Sequence, residues 1–366
     1  MLGMGIAMIR HTVNLKDRSY PICITTSFDE LGETIQSLRT GSKILIVTDE
    51  NVNKYYSDIC IEQLEKSGFE VHKHVLIPGE ENKTLEAVYG IYQKLVEHRF
   101  DRTDTLVALG GGVVGDITGF AAATYMRGIN FVQVPTTLLS QADSSVGGKT
   151  GVDFDGHKNL VGAFYQPKLV FINVHTIKTL PKREVSAGLA EVIKHGFIID
   201  AEYCEYIKEN AEKIFNYDEN VLQYLAKKNC SIKGSVVEVD EKESDLRAIL
   251  NFGHTIGHAI ETVQNFELLH GECVAIGIVG AFRLALYLGV VNEGVVENVK
   301  EILLKLELPV SLPGLDVEKV YSHIFYDKKV KDNILKFVLP RRIGEVFQCN
   351  IEDSELIKKV LMDLSK

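Results

Sequence analysis

The sequence predicts a two-domain protein: an N-terminal α/β domain with a Rossmann-like parallel sheet, residues 1–180, and an all-α C-terminal domain, residues 181–366. Three observations predict this. In the first half, short apolar runs alternate with segments of helical period, as in strands joined by crossover helices. One run leads into a glycine-rich loop, residues 110–116. After residue 181 only helical periodicity remains.

The predicted elements follow from these patterns. Strands are predicted at residues 22–24, 43–47, 71–77, 105–109, 131–134 and 169–173. A helix is predicted between the first two strands, at 28–39, and another follows the glycine-rich loop, at 117–126. C-terminal helices are predicted at 183–199, 202–215, 221–239, 246–263, 272–288 and 295–306.

The amino-acid composition excludes some classes of function. The chain has 40 basic and 50 acidic residues, a net charge of −10, so we do not expect a broad nucleic-acid-binding surface. Its six cysteines are scattered, which indicates free thiols in a reducing compartment. No signal peptide is recognisable, and no run of about 18 apolar residues suggests a membrane span. The expected location is the cytoplasm.

The glycine-rich loop, residues 110–116, lies between a strand and a helix and contains G-x-G-x-x-G. In that context, backbone N–H groups and a helix N-terminus hold phosphate groups. The acidic residue of a dinucleotide site is missing about 20 positions on, because the next strand ends in Pro135. The pattern therefore favours a phosphate-binding loop over a dinucleotide loop.

Polar residues also follow other strands. Asp49 could hold a ribose or cap the next helix, which is the commoner role. Glu80 and Lys83 lie in a loop at the carboxyl end of a strand, where open α/β sheets bind ligands. Lys149 follows two glycines, but the chain has no G-x-x-x-x-G-K-[ST] motif, which argues against a P-loop NTPase. The stretch 135–150 is long for a connector, so we expect it to be functional.

Two histidines in the second half have the spacing of metal ligands. His254 and His258 are four residues apart and would share one helix face. Thr255 stands where H-E-x-x-H zinc peptidases have their general base, so that class is disfavoured. By itself such a pair is more often packed than metal-bound. His270 and Glu191, which is embedded among apolar residues, could complete a three-ligand set.

Further polar residues accompany the histidines. The predicted helix 246–263 carries a polar stripe formed by Arg247, Asn251, His254 and His258. Lys194, three residues after Glu191, is either its surface ion-pair partner or part of a cationic site.

Together these segments resemble the 3-dehydroquinate synthase family, sugar-phosphate cyclases with a glycerol dehydrogenase-like fold. The resemblance covers roughly residues 40–340, and its matching segments are 110–116, 125–128, 135–149, 162–167, 189–196, 251–261 and 270–272. It implies an N-terminal domain that binds NAD and a C-terminal helical domain that binds the substrate and a divalent metal, Zn²⁺ or Co²⁺.

The implied activity is the conversion of 3-deoxy-D-arabino-heptulosonate 7-phosphate to 3-dehydroquinate and phosphate, a lyase step of the shikimate pathway to aromatic amino acids. It combines transient NAD-dependent oxidation, β-elimination of phosphate, re-reduction, ring opening and intramolecular aldol closure. Arginines and lysines suit a substrate that carries a carboxylate and a phosphate. A homodimer is implied by the resemblance alone.

The resemblance also assigns roles, residue by residue. Metal ligands would be Glu191, His254 and His270. NAD contacts would be Asp49, Glu80, Lys83, Gly112, Val113, Val114, Gly115, Asp116, Thr136, Thr137, Lys149, Lys158, Thr176 and Thr179. Residues around the substrate would be Asp143, Lys149, Lys194, Lys233, Arg247, Asn251, His258 and Lys328, with Arg127 contributed to the phosphate by a partner subunit. Asp49 and Glu80 would hold the ribose, although a plain helix cap remains open for Asp49.

Three alternatives stay open. A related sugar-phosphate cyclase would share the metal and NAD residues, but the presence of Arg247, Asn251, Lys233 and Lys328 favours a carboxylate-bearing substrate. An NAD- and metal-dependent polyol dehydrogenase would release NADH in stoichiometric amount. A non-enzymatic binding module would leave the three-ligand set unexplained.

Overall fold

The computed structural model describes residues 8–243, 245–265, 267–326 and 335–366, with the backbone alone at 325 and 326. The predicted site residue Lys328 lies outside the described residues. The chain divides into two compact units. The first contains the residues up to Leu180 and Tyr217–Glu238, and the second contains Pro181–Asn216 and Val239–Lys366.

The first unit is built on a seven-stranded sheet of order β1-β2-β9-β6-β5-β3-β4. Its strands are β1 (Ile9–Val13), β2 (Tyr20–Thr25), β3 (Lys43–Asp49), β4 (Glu70–Leu76), β5 (Thr105–Gly110), β6 (Asn130–Pro135) and β9 (Leu169–Asn173). Every pair is parallel except β1–β2. All six predicted strands are present. The edge strand β1 is missed because it is short and mixes polar with apolar residues.

Helices make up much of the rest of the first unit. They are α1 (Leu31–Gln36), α2 (Glu50–Val52), α3 (Asp58–Lys66), α4 (Leu85–Glu97), α5 (Gly112–Thr124) and, from later in the chain, α9 (Glu219–Val239). Leu106 and Ala108 of β5 pack in a core with α4 and α5, whereas Val107 and Leu109 pack in another with α1 and α3. Burial on both faces explains why β5 is a continuous apolar run. The predicted parallel α/β fold is confirmed.

A β-hairpin follows the polar stretch 135–150 and shares only residues 149 and 150 with it. It pairs β7 (Lys149–Phe154) with β8 (His157–Phe164), after a helical turn at Ser140–Ser144. Asp155 and Gly156 form its turn, with φ of 50° and 77°. Asp-Gly is a common sequence for such a turn, so the signal for the hairpin was present in the sequence.

The second unit is mainly helical, as predicted. Its helices are α6 (Lys182–Ile199), α7 (Ala201–Glu209), α8 (Ala211–Phe215), α10 (His254–Val263), α11 (His270–Tyr287), α12 (Glu293–Lys305), α13 (Val317–Tyr326) and α14 (Ser354–Leu364). It also contains an antiparallel hairpin that the prediction lacked, β10 (Leu335–Arg342) with β11 (Glu345–Ile351). By length and composition α11 could cross a membrane, but 72% of it is buried inside the protein, as in a core helix.

The continuous helix predicted over residues 246–263 is wrong. Leu246–Asn251 forms a 3-10 helix, and α10 begins at His254 after Gly253, which has a φ of 80°. A Cβ at Gly253 would lie 2.7 Å from Cγ1 of Ile278 in α11, so the break depends on a glycine. The predicted polar stripe therefore does not run along a single helix.

The predicted C-terminal domain, residues 181–366, differs from the observed division at α9. This helix groups with the first unit, and its polar residues bond there. Nζ of Lys233 lies 2.9 Å from Oδ1 of Asp143, and Glu238 accepts a hydrogen bond from the backbone N–H of Asn14 at 2.6 Å. The periodicity of a helix does not reveal which core it will cover.

Candidate functional site

Three side chains from three helices converge in the second unit. Glu191 belongs to α6, His254 begins α10 and His270 begins α11. Oε1 of Glu191 lies 3.3 Å from Nε2 of His254 and 3.5 Å from Nε2 of His270. Glu191 is only 1% exposed, and a buried carboxylate requires compensation by positive charge. The structure thus brings the three predicted ligands together.

Hydrogen bonds on the far side of each ring determine which nitrogen faces Glu191. Nδ1 of His254 lies 3.0 Å from the carbonyl oxygen of Phe252, and Nδ1 of His270 lies 3.3 Å from Oε2 of Glu261. Because carbonyl and carboxylate oxygens only accept, each Nδ1 carries a hydrogen and each Nε2 is left as a ligand atom. Neither oxygen of Glu191 receives a hydrogen bond of regular geometry from the described residues. This donor set fits a divalent metal ion.

The charged side chains of this cluster shift one another's pKa values. Lys194 contacts Glu191 within α6 and is 2% exposed, so the pair is buried rather than on the surface. Burial would raise the pKa of Glu191, but Lys194 and His254 outweigh it and hold that pKa well below its usual range. Burial, together with Lys194, lowers the pKa of His254 to about 4. Burial would also lower the pKa of His270, but Glu191 and Glu261 raise it to about 10.

His258 lies in the same cluster, one turn after His254. Ligand nitrogens of His254, His258 and His270 lie within 4.8 Å of one another. By geometry His258 is therefore a fourth candidate ligand, whereas the resemblance places it near the substrate. Metal analysis of substituted proteins separates the two roles.

An acidic segment, residues 240–243, accepts hydrogen bonds from two predicted substrate residues, Arg247 and Asn251. Arg247 is 2% exposed, and its Nη1 donates to the carbonyl oxygen of Glu241 at 2.5 Å. Nδ2 of Asn251 donates to Oε1 of Glu243 at 2.7 Å. Sequence reasoning missed this segment, because a run of charged residues usually indicates a solvated turn.

In the first unit, most of the predicted cofactor residues lie at or after the carboxyl ends of the strands of the large sheet, whereas Lys149 and Lys158 lie in the β7–β8 hairpin. β3 pairs with β4 on one side and with β5 on the other, so the connections diverge between β3 and β5. This is the topological switch point, at which open α/β sheets bind ligands. Asp49 ends β3, and the glycine-rich loop joins β5 to α5. The two lie at adjacent strand ends.

The glycine-rich loop forms the N-terminus of α5. The helix begins at Gly112 and includes Val113, Val114, Gly115 and Asp116, so its first-turn N–H groups are available to an anion. A Cβ at Gly115 would lie 2.8 Å from the side chain of Gln133. This glycine therefore permits α5 to pack closely against β6, which carries Gln133.

Asp49 acts as a helix cap. Its Oδ1 accepts hydrogen bonds from the N–H groups of Asn51 and Val52 at 2.8 and 3.0 Å. The capping role left open by the sequence is confirmed, and a ribose contact through the other oxygen stays a prediction.

Lys83 is the centre of a polar cluster that unites four predicted cofactor residues. Its Nζ lies 2.7 Å from Oδ2 of Asp116, 2.5 Å from Oδ1 of Asn159 and 3.9 Å from Oε1 of Glu80. Nζ of Lys158 lies 3.6 Å from the same Glu80 oxygen. Burial would lower the pKa of Lys83, but Asp116 and Glu80 outweigh it and raise that pKa. The resemblance assigned no role to Asn159.

The predicted threonines differ in their bonding. Thr137, Thr176 and Thr179 hydrogen-bond within the first unit, to Ser140, Gln141 and Tyr56 respectively. The hydroxyl of Thr136, just past the end of β6, is buried and has no hydrogen-bond partner among the described residues. Such a group is suited to a ligand atom, since buried hydroxyls are normally paired.

The remaining predicted substrate residues of this unit lie in three places. Lys233 and Asp143 are an ion pair, and Nζ of Lys233 also donates to the Asp143 carbonyl at 2.6 Å. Lys149 is exposed at the start of β7. Arg127 is exposed in the turn after α5, with a φ of 67°.

Comparison with known families decides the classification. Residues 73–187 match the model described as 3-dehydroquinate synthase N-terminal, and residues 188–330 match the model described as 3-dehydroquinate synthase C-terminal. The chain belongs to the 3-dehydroquinate synthase family. Among relatives called 3-dehydroquinate synthase, one from Ruminiclostridium cellulolyticum is 77% identical over 98% of this chain and 100% of its own. Another, from Acetivibrio thermocellus, is 62% identical over 98% and 100%.

Solved structures place the family among sugar-phosphate cyclases. A 2-deoxy-scyllo-inosose synthase, complexed with carbaglucose-6-phosphate, NAD⁺ and Co²⁺, is 26% identical with a TM-score of 0.89 over 97% of this chain and 100% of that one. A 2-epi-5-epi-valiolone synthase from Streptomyces hygroscopicus, with NAD⁺ and Zn²⁺ bound, is 27% identical with a TM-score of 0.89 over 96% and 98%. A probable glycerol dehydrogenase from Sinorhizobium meliloti, 15% identical with a TM-score of 0.66 over 93% and 95%, shares the fold.

Proposed function

We propose that this protein is a 3-dehydroquinate synthase, which converts 3-deoxy-D-arabino-heptulosonate 7-phosphate to 3-dehydroquinate and phosphate. The observation that supports it most is the 77% identity to a relative of that name over 98% of the chain. The buried cluster of Glu191, His254 and His270 supports it independently, because one carboxylate and two imidazoles are the donor set expected of a catalytic metal site.

Glu191, His254 and His270 would hold a Zn²⁺ or Co²⁺ ion. NAD would bind at the switch point of the first unit, with phosphates at the N-terminus of α5 and polar contacts from the Lys83 cluster and Thr136. When bound, NAD supplies reversible hydride acceptance and the metal supplies Lewis-acid polarisation of substrate oxygens.

The chain's own cations would bind and orient the substrate. Arg247 and Asn251 are held in place by Glu241 and Glu243, so an arginine fork is preorganised for a planar carboxylate. Lys194 and Lys233 provide ammonium groups for the phosphate and the ring oxygens. His258 places an imidazole beside the metal set, where it can take up or return a proton during elimination.

We also propose a cytoplasmic homodimer, in which Arg127 reaches the phosphate bound by the partner subunit. The resemblance is the main support. The first unit also exposes large apolar residues, including Met126 at 44%, Leu160 at 60% and Phe164 at 47%. Exposed apolar surface of this kind is consistent with a subunit contact. Light scattering on a size-exclusion column would measure a mass of two chains.

One assay tests the function. Purified protein is given the heptulosonate phosphate, and released phosphate and reduced nicotinamide absorbance are followed together. We expect phosphate release that requires NAD and is lost with a chelator, without net NADH. Stoichiometric NADH would instead identify a polyol dehydrogenase. Turnover of sedoheptulose 7-phosphate in place of the heptulosonate would identify a related cyclase with another substrate.

A further inference from the structure

Glu261 is a buried carboxylate to which no role has been assigned. It lies in α10, seven residues after His254, and is 6% exposed. Its Oε2 lies 3.3 Å from Nδ1 of His270, at the far side of the ring from Glu191. It is therefore an outer carboxylate behind a candidate ligand rather than a fourth ligand at its front.

This contact fixes two properties of His270. An ionised carboxylate accepts only, so Nδ1 keeps a hydrogen and Nε2 is the nitrogen that would release its proton to a metal ion. The bond also holds the ring, which is 31% exposed and so less confined by packing than Glu191 at 1%. For His254 the acceptor at Nδ1 is neutral: it is the carbonyl oxygen of Phe252, at 3.0 Å.

The two histidines thus differ in what orients them. A backbone carbonyl cannot be removed by substitution and carries no net charge, whereas Glu261 adds a negative charge close to the cluster. A carboxylate hydrogen-bonded to a histidine makes the imidazole a more basic ligand, and its negative charge attracts the metal ion. Glu261 also lies on the helix that carries His254, so one helix supplies one ligand and orients another.

We propose that Glu261 is a positioning residue, which sets the tautomer and direction of the His270 imidazole and thereby the affinity of the metal site. The inference rests on the proposed metal set of Glu191, His254 and His270. It needs no contact between Glu261 and the substrate.

Metal affinity without turnover tests the proposal. Apo protein competes with a chromogenic chelator for Zn²⁺, and the visible absorption of the Co²⁺-loaded protein reports the ligand geometry. Glu261→Ala should weaken Zn²⁺ binding by about 10- to 100-fold and alter the Co²⁺ spectrum. Glu261→Gln keeps the size but loses the charge, and its amide can bond to either tautomer, so we expect a smaller loss. Circular dichroism establishes that each variant is folded.

Glu209→Ala is the control, because Glu209 is exposed on α7 in the same unit. It should bind Zn²⁺ as the parent does. If the parent binds Zn²⁺ and both Glu261 variants match it in affinity and spectrum, Glu261 has no positioning role. If the parent protein binds no Zn²⁺ and His270→Ala does not change that result, the proposed ligand set of Glu191, His254 and His270 is wrong instead. Should Glu261→Ala not fold, Glu261→Gln alone decides.

Discussion

At the scale of single residues, the histidines of the cluster are separable by experiment. His270→Ala removes a nitrogen that faces Glu191, so we expect loss of stoichiometric metal and loss of phosphate release. His258→Ala should retain metal and lose activity, because His258 is assigned to the substrate. Elemental analysis of the purified variants, with circular dichroism for folding, makes the comparison.

The opposite pattern would reassign the ligands. If His258→Ala lost the metal and His270→Ala kept it, the imidazole cluster would use a different pair of nitrogens, which the 4.8 Å separation allows.

At the scale of elements, glycines determine how closely α11 approaches its neighbours. A Cβ at Gly271 would lie 1.9 Å from the carbonyl oxygen of Ala187 in α6, and one at Gly277 would lie 2.0 Å from that of Gly253. Both obstacles are backbone atoms, which cannot rotate away. The close approach brings the first residue of α11, His270, towards Glu191 of α6.

Gly271→Ala should therefore lower the free energy of unfolding by about 1–3 kcal/mol, because α6 and α11 must move apart to admit the methyl group. Zn²⁺ affinity should fall with it. Gly294→Ala in α12 is the matched control: its Cβ would meet only Oδ1 of Asn292, at 3.2 Å. It should be neutral or stabilising by up to about 1 kcal/mol. Urea unfolding measures both, and equal stability of the two variants would contradict the packing argument.

Several elements could be predicted from the sequence and others could not. The run Leu106–Leu109 identifies a central strand because both of its faces are buried. The spacing of His254 and His258 indicated a metal cluster, and Glu191 and His270 were candidates to complete it. The sequence pattern left the ligand set open, and the family resemblance assigned it, because a meeting of three helices leaves no local pattern. The break at Gly253 was missed because helical periodicity continues through it. The grouping of α9 depends on distant partners such as Asp143.

At the scale of the whole molecule, the cysteines report on the integrity of the fold. All six are free, as predicted; five are buried and Cys349 is intermediate. Burial raises the pKa of the Cys60 and Cys204 thiols, and it raises the pKa of Cys230 to about 12, so these thiols resist conversion to the reactive thiolate.

We expect a thiol reagent at neutral pH to modify about one cysteine quickly in the native protein and all six in guanidinium chloride. Absorbance of the released chromophore gives the count, and Cys349→Ser identifies the fast site. Rapid modification of several cysteines without denaturant would mean that a core opens readily.

The discontinuous first unit has a consequence for synthesis on the ribosome. Ile22 of β2 pairs with Val170 of β9, and α9 begins only at Glu219, after the opening helices of the second unit. A nascent chain that ends at Leu180 therefore lacks the helix that bonds Asp143 and Asn14. N-terminal domains commonly fold first as they emerge. We expect the N-terminal half of this chain to complete its fold only after α9 has emerged. Protease pulses on stalled chains of increasing length should therefore find full protection only once Glu238 has left the exit tunnel.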